Sequence, residues 1–286
     1  SVWTKSPAKL YALPLMKTFM SIICGLSALT VVTALAFFPV YQAQGSEQTS
    51  KKRETPSPGK QVCQSTDSLN YLLFLPEDYS EENPQSGEVK KWPVIVFLHG
   101  LGERGDHLED LDKLKLHGPP MLVEKNSKFE FIVVSPQCRT DSWWPWNVDK
   151  LNEVLDQVLK DVKQADSKRV YLTGLSMGGF GSFSWTIRNP ERFAAAAPIC
   201  GGGIFHEAWG LPGQKAAYLR SLPFWIFHGA SDSVVSSELS SEMRTGLQAF
   251  GVKEINLTIY PGVDHNSWTQ TYSNPELYKW FLKHSR

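Results

Sequence analysis

Ser176 stands in Gly174-Leu175-Ser176-Met177-Gly178-Gly179, which is G-x-S-x-G with one further glycine, directly after an apolar run ending at Thr173 and directly before a helical pattern. In a tight strand-to-helix turn of this form the serine is held at a strained backbone angle with its Oγ exposed. Side chains at the flanking positions would collide with neighbouring backbone. A serine hydroxyl at its ordinary pKa is a poor nucleophile, so an imidazole must take its proton and a carboxylate must hold that imidazole in the right tautomer. His265 follows an apolar run through Pro261-Gly262-Val263-Asp264, and Asp232 follows another through His228-Gly229-Ala230-Ser231. Asp264 is a poor orienting acid for His265, because adjacent side chains in a turn diverge. His99 and His228, each followed by a glycine at the end of an apolar run, read as structural. The expected chemistry is attack on an acyl carbon by Ser176, with His265 as general base and Asp232 as its orienting acid.

The oxyanion formed by that attack needs donors aimed at it. One is the amide of Met177, at the positive end of the helix that follows the serine. The second is expected from the glycine-rich loop HGLGERG at 99–105, and is assigned to the amide of Leu101; Glu103 and Arg104 read as braces of that loop or as residues of the cleft mouth. Trp143, Trp144 and Trp146 crowd the loop at 136–146, and Trp268 lies just after the base. These four are expected to line an aromatic or sugar-binding cleft, against the plainer reading of an apolar cap on the sheet edge.

Positioning such groups requires a rigid frame. Apolar runs at 71–75, 94–98, 131–134, 170–173, 194–199, 224–227 and 255–260 read as short strands, several continuous in Val, Ile and Phe as buried parallel strands are. Helical patterns alternate with them, most clearly at 148–162, where Val148, Leu151, Leu155, Val158, Leu159 and Val162 share one face. Further helices are expected at 178–188, 236–250 and 275–283. The alternation predicts an α/β fold with a mainly parallel central sheet and helices on both faces. In such sheets reactive groups gather at the carboxyl ends of the strands, where all the residues above fall.

The segments VIVFLHGLGERGD (94–106), VYLTGLSMGGFGSF (170–183), WIFHGASDSVV (225–235) and GVDHNSW (262–268) resemble an esterase and predicted-peptidase branch of the α/β-hydrolases. That branch is similar to feruloyl esterases, phospholipase/carboxylesterases and dienelactone hydrolases, and the resemblance covers about residue 69 to 286. It implies the α/β-hydrolase fold and acyl-enzyme chemistry on carboxylic esters, less often peptides. It also implies the order Ser176, Asp232, His265 along the chain, and a small lid formed by the insert at 201–222, whose Phe205 and Trp209 are expected to shape the acyl pocket. Dienelactone hydrolases proper have cysteine where Ser176 stands. The expected substrate is a small-molecule or polysaccharide-linked acyl ester. Two other readings are kept: a serine peptidase resembling the prolyl-oligopeptidase catalytic domain, a group usually accompanied by a large gating domain for which the short linker leaves no room, and a non-catalytic binding module on the same fold.

Bulk properties bound the rest. At 286 residues with 42% hydrophobic side chains the chain can bury a sizeable core, and 29 basic against 29 acidic residues leave no net field for gathering nucleic acid. Four cysteines and seven histidines show no metal-type spacing, so metal-free and cofactor-free chemistry is expected. Residues 1–45 are expected to be an N-terminal extension plus a signal peptide or membrane anchor, because 18–41 carries no charge. Residues 46–62, rich in Ser, Thr, Lys, Glu and Pro, are expected to be a disordered linker, and 63–286 the catalytic domain. Either N-terminal reading puts that domain outside the cytoplasm, secreted, periplasmic or membrane-anchored. In an oxidising compartment Cys63, Cys138 and Cys200 would allow one disulfide and a spare thiol.

Overall fold

The computed structural model describes residues 56–80 and 90–286. The expected N-terminal extension and export segment lie outside the described residues, as does most of the linker. Among the described residues no helix is long and apolar enough to cross a membrane.

In chain order the elements are β1 (Gln61–Ser65), β2 (Asn70–Phe74), β3 (Trp92–Leu98), α1 (Gly118–Lys125), β4 (Ile132–Pro136), α2 (Val148–Asp161), β5 (Ala165–Leu175), α3 (Met177–Arg188) and β6 (Ala195–Ile199). They continue with α4 (Gly213–Ser221), β7 (Phe224–Gly229), α5 (Ser237–Phe250), β8 (Ile255–Tyr260), α6 (Trp268–Tyr272) and α7 (Pro275–Leu282). The strands form one eight-stranded sheet in the order β1-β2-β4-β3-β5-β6-β7-β8. β2 runs antiparallel to both β1 and β4, and every other pair is parallel. This is the α/β-hydrolase arrangement that the sequence resembles.

Pleating sorts the core into two layers. Val94, Val96 and Leu98 of β3 pack with apolar residues of α2, α3, α4 and α5, while Ile95 and Phe97 pack on the other face with residues of α6 and α7. All seven residues of β3 are buried, which explains its unbroken apolar run. Strand order reverses at β3: the chain leaves it outward to β4 and then returns to its other side as β5. The loops after β3 and β5 therefore border one crevice at the carboxyl edge, the usual place for a ligand.

Three differences from the sequence reading have local causes. β1 begins at Gln61, inside the stretch read as linker, because its backbone pairs with β2 through Gln61 to Phe74 and Val62 to Leu73. As a half-buried edge strand it carries no apolar run. β5 reaches back to Ala165 past an irregular stretch, so its polar start hid it. Cys138 and Cys200 are buried free thiols, so neither enters the disulfide that was allowed.

Candidate active site

Ser176 sits between the end of β5 and the first residue of α3 with φ 52° and ψ −115°, a left-handed conformation that a side chain rarely adopts. Close backbone packing holds the turn. A Cβ on Gly174 would lie 2.4 Å from the carbonyl oxygen of Gly178, and one on Gly178 would lie 1.9 Å from that of Leu98. The Ser176 amide donates to the carbonyl of Ile199 at 3.0 Å, tying the turn to β6.

Asp232 and His265 come from the loops after β7 and β8. His265 Nε2 lies 3.0 Å from Ser176 Oγ, and its Nδ1 lies 2.8 Å from Asp232 Oδ2. The amides of Val234 and Val235 donate to Asp232 Oδ1 at 2.9 and 2.8 Å, which leaves Oδ2 turned toward the imidazole. Burial works to raise the carboxyl pKa of Asp232, but the Val235 amide, His265 and the Val234 amide outweigh it and hold the group below its ordinary range. Asp264 does not touch the ring of His265. Its Oδ1 accepts from the amide of Ser233 at 2.8 Å and from the amide of His265 at 2.8 Å, fastening the two loops together.

The loop after β3 abuts the serine: a side-chain carbon on Gly100 would lie 3.8 Å from Ser176 Cβ. Leu101 opens a 3-10 turn there and Met177 opens α3, so each of the two amides assigned to the oxyanion stands at the start of a helical element. Glu103 is buried and accepts from the Gly100 amide at 2.8 Å, which braces this loop. Arg104 donates to the carbonyls of Leu101 and Ser142 at 3.2 and 3.3 Å, joining the loop to the tryptophan-rich one. His99 is fully buried, receives the Cys138 amide on Nε2 at 2.9 Å and faces the Gly100 carbonyl with Nδ1. Burial drives its pKa down to about 3, against the pull of the Gly100 carbonyl, with Arg104 adding to the drop.

A cavity of about 670 Å³ opens between the tryptophan loop, α3 and the segment after β6, and Ser176, Asp232 and His265 are not among the residues that line it. Trp143, Trp146, Phe180 and Ile204 form its apolar wall, with Arg104 and Glu207 among its polar lining. Phe180 lies one turn after Ser176 on α3; its place four residues beyond a nucleophile was the available sequence signal, and it was missed. The four tryptophans singled out from sequence separate. Trp143 and Trp146 line the cavity, Trp143 lying 5.6 Å from the Phe180 ring. Trp268 sets its ring edge-on to His265 at 5.3 Å. Trp144 is a correction: it is fully buried, donates from Nε1 to the His99 carbonyl at 3.0 Å and packs against the His99 ring, so it is core and not cleft. Phe205 and Trp209 are likewise turned away, toward Gly246 and Phe250 of α5, and their neighbours Ile204 and Glu207 face the cavity instead.

Among the described residues one group has three side chains of metal-ligating type close together, namely Cys200, Asp232 and His265. Two of them, Asp232 and His265, are already engaged with each other through a hydrogen bond of 2.8 Å. Burial pushes the Cys200 thiol up to about 12, so it is a poor thiolate donor.

A family model described as phospholipase/carboxylesterase matches residues 81–275. The chain belongs to the phospholipase/carboxylesterase family. Among its relatives, a bifunctional acetylxylan esterase/xylanase of Neocallimastix patriciarum is 31% identical over 148 residues, half of this chain and 20% of that protein. An acyl-protein thioesterase 1 homolog of Dictyostelium discoideum is 21% identical over 197 residues, 61% of this chain and 85% of the relative. The crystal structure of a thermostable esterase is similar with a TM-score of 0.59 and 30% identity, covering 79% of this chain and 63% of that one. This phospholipase/carboxylesterase family member thus spans about a fifth of its bifunctional relative and less than two thirds of the esterase.

Proposed function

We propose that this chain is a serine esterase that cleaves carboxylic esters through an acyl-enzyme, acting on aryl esters or on acyl groups linked to polysaccharide. The observation that carries the reading is His265 suspended between Ser176 Oγ and Asp232 Oδ2, at 3.0 and 2.8 Å. Family membership and the acetylxylan esterase among the relatives support ester chemistry. The cavity walled by Trp143, Trp146 and Phe180, the last on the helix that follows Ser176, supports a substrate that carries a flat aryl or sugar group.

In this mechanism His265 Nε2 takes the proton of Ser176 as Oγ attacks the ester carbonyl. Asp232 stabilises the imidazolium that results and keeps Nδ1 protonated. The amides of Met177 and Leu101 receive the oxyanion. His265 then gives its proton to the leaving alcohol, and water repeats the sequence to free the acid.

The test compares the wild type with Ser176→Ala on short-chain nitrophenyl esters, feruloyl esters and peptide anilides. Ester hydrolysis by the wild type, lost by about 10⁴-fold or more in the variant, is the expected result. Cleavage of anilides in preference to all esters would replace this reading with a peptidase. Inactivity of the wild type on the whole panel would leave a non-catalytic module.

A further inference from the structure

His228 reads from sequence as a structural histidine at the end of β7, and the structure sets it closer to a carboxylate than His99 at the end of β3, 3.1 Å from Asp232 against 4.0 Å from His99 to Glu103. Its ring is fully buried. Nε2 lies 2.9 Å from the carbonyl of Val235 and 3.1 Å from Asp232 Oδ2. Both are acceptors, so that nitrogen must carry a proton whatever the state of the ring. Nδ1 lies 2.7 Å from Ser240 Oγ on α5, and Ser240 Oγ lies 3.0 Å from the carbonyl of Gly201, its one proton going to Nδ1 when the ring is neutral and to Gly201 when the ring is charged. A continuous chain of contacts thus runs from the loop after β6 through α5 and His228 to the carboxylate that His265 uses.

We infer that His228 is a positioning residue for the acid of the triad: its Nε2–H, given to the Val235 carbonyl, also lies 3.1 Å from the Asp232 oxygen that receives His265 and attracts it. The inference rests on the esterase reading above. Two physical effects follow. With Oδ1 fixed by two amides and Oδ2 held against the buried edge of the His228 ring, the carboxylate cannot rotate, so an Oδ2 lone pair stays aimed at His265 Nδ1. The nearby N–H also stabilises the charge on Oδ2, which makes Asp232 a weaker stabiliser of the His265 imidazolium. The titratable groups around this chain of contacts are Asp232, His265, Asp264 on the exposed side of the same loops, and Cys200. Asp264 is committed to Ser233 and the His265 amide, and the Cys200 thiol stays neutral, so neither replaces His228 as donor.

The test is the pH profile of kcat/KM for a nitrophenyl ester, together with the proton NMR signal of His265 Nδ1–H, for wild type, His228→Leu and His228→Gln. Gln carries an amide at about the distance of Nε2 and preserves the donor; Leu does not. Leu is expected to lower kcat about 10- to 100-fold with little change in KM, to move the acid limb up by about half to one pH unit and to shift the NMR signal. Gln is expected to restore all three. An unmoved acid limb and signal in the Leu variant, or a Gln variant as impaired as Leu, overturns the inference. Should Leu fail to fold, His228→Asn takes its place, because its shorter amide reaches Ser240 and not Asp232. Ser176→Ala is assayed alongside: a wild type inactive on esters would defeat the esterase reading itself, whereas an active wild type with unshifted His228 variants defeats only this inference.

Discussion

Replacing Gly178 by alanine tests the packing that holds Ser176. The added carbon would lie 1.9 Å from the Leu98 carbonyl oxygen, 2.5 Å from its carbon and 2.9 Å from the His99 carbonyl oxygen. All three are backbone atoms at the end of a fully buried central strand, so no flexible side chain can yield. An ordinary carbon-to-oxygen contact is about 3.3 Å, so the start of α3 must move away from β3 by about 1.4 Å. Overpacking of this kind costs roughly 3 kcal/mol or more. A displacement near 1 Å at the reacting groups costs about a hundredfold in rate, and Ser176 is two residues away. The variant is therefore expected to lose about 3 kcal/mol in urea unfolding and at least about a hundredfold in kcat/KM on a nitrophenyl ester, measured under conditions where it is folded. Gly213→Ala is the control, since nothing lies within 4 Å of its added carbon and the site starts α4. It should be neutral or gain about half a kcal/mol. A Gly178→Ala protein with wild-type stability and activity would refute the claim that backbone contact between α3 and β3 sets the serine's position.

Three further outcomes are expected. Trp144→Leu should lower stability by about 3 kcal/mol in thermal unfolding, through lost burial and the stranded His99 carbonyl. Trp146→Ala, at a side chain 76% exposed, should change stability by less than about 0.5 kcal/mol while raising KM for aryl esters over acetyl esters; a reversed pattern would remove the cavity from substrate binding. His99 should also give the fold an acid sensitivity. Its pKa falls from 6.5 to about 3 on burial, so the unfolded chain binds a proton that the folded one refuses. Stability is then full above about pH 6.5 and declines as pH falls through the window down to about 3, by up to about 1.4 kcal/mol per unit. Urea titrations at several pH values should show a shallower decline in His99→Gln, and an identical slope in both proteins would assign the sensitivity elsewhere.

What was legible in the sequence was what is encoded within a few residues. Ser176, Asp232 and His265 each follow an apolar strand by a short turn, and a buried strand announces itself by its run of Val, Ile and Phe. Once β5, β7 and β8 are set parallel in one sheet, with β6 between the first two, their carboxyl ends bring the three side chains to one edge, so the geometry at 3.0 and 2.8 Å follows from local signals and a topology. β1 gave no such signal, because an edge strand held by backbone pairing alone needs no apolar run. Nor did the tryptophan loop. Three tryptophans in four positions on an irregular turn have no period from which to assign a face, and Trp144 goes inward only because the carbonyl and ring of His99, from a different strand, are there to receive it.

His99 and His228 make the limit clearest. Each ends a buried parallel strand, each precedes a glycine, and each is fully buried with both ring nitrogens engaged. Nothing in the residues around them separates the two. They differ in what lies across from Nε2. For His99 it is a donor, the Cys138 amide at 2.9 Å, so the nitrogen stays bare and the ring is locked as a neutral brace between the loops after β3 and β4. For His228 it is two acceptors, one of them the Asp232 carboxylate, so the nitrogen is protonated and coupled to a charge. A histidine's role in such a fold is therefore set by the hydrogen-bonding sense of its neighbour across the sheet edge, a property of the assembled strands that no single segment contains.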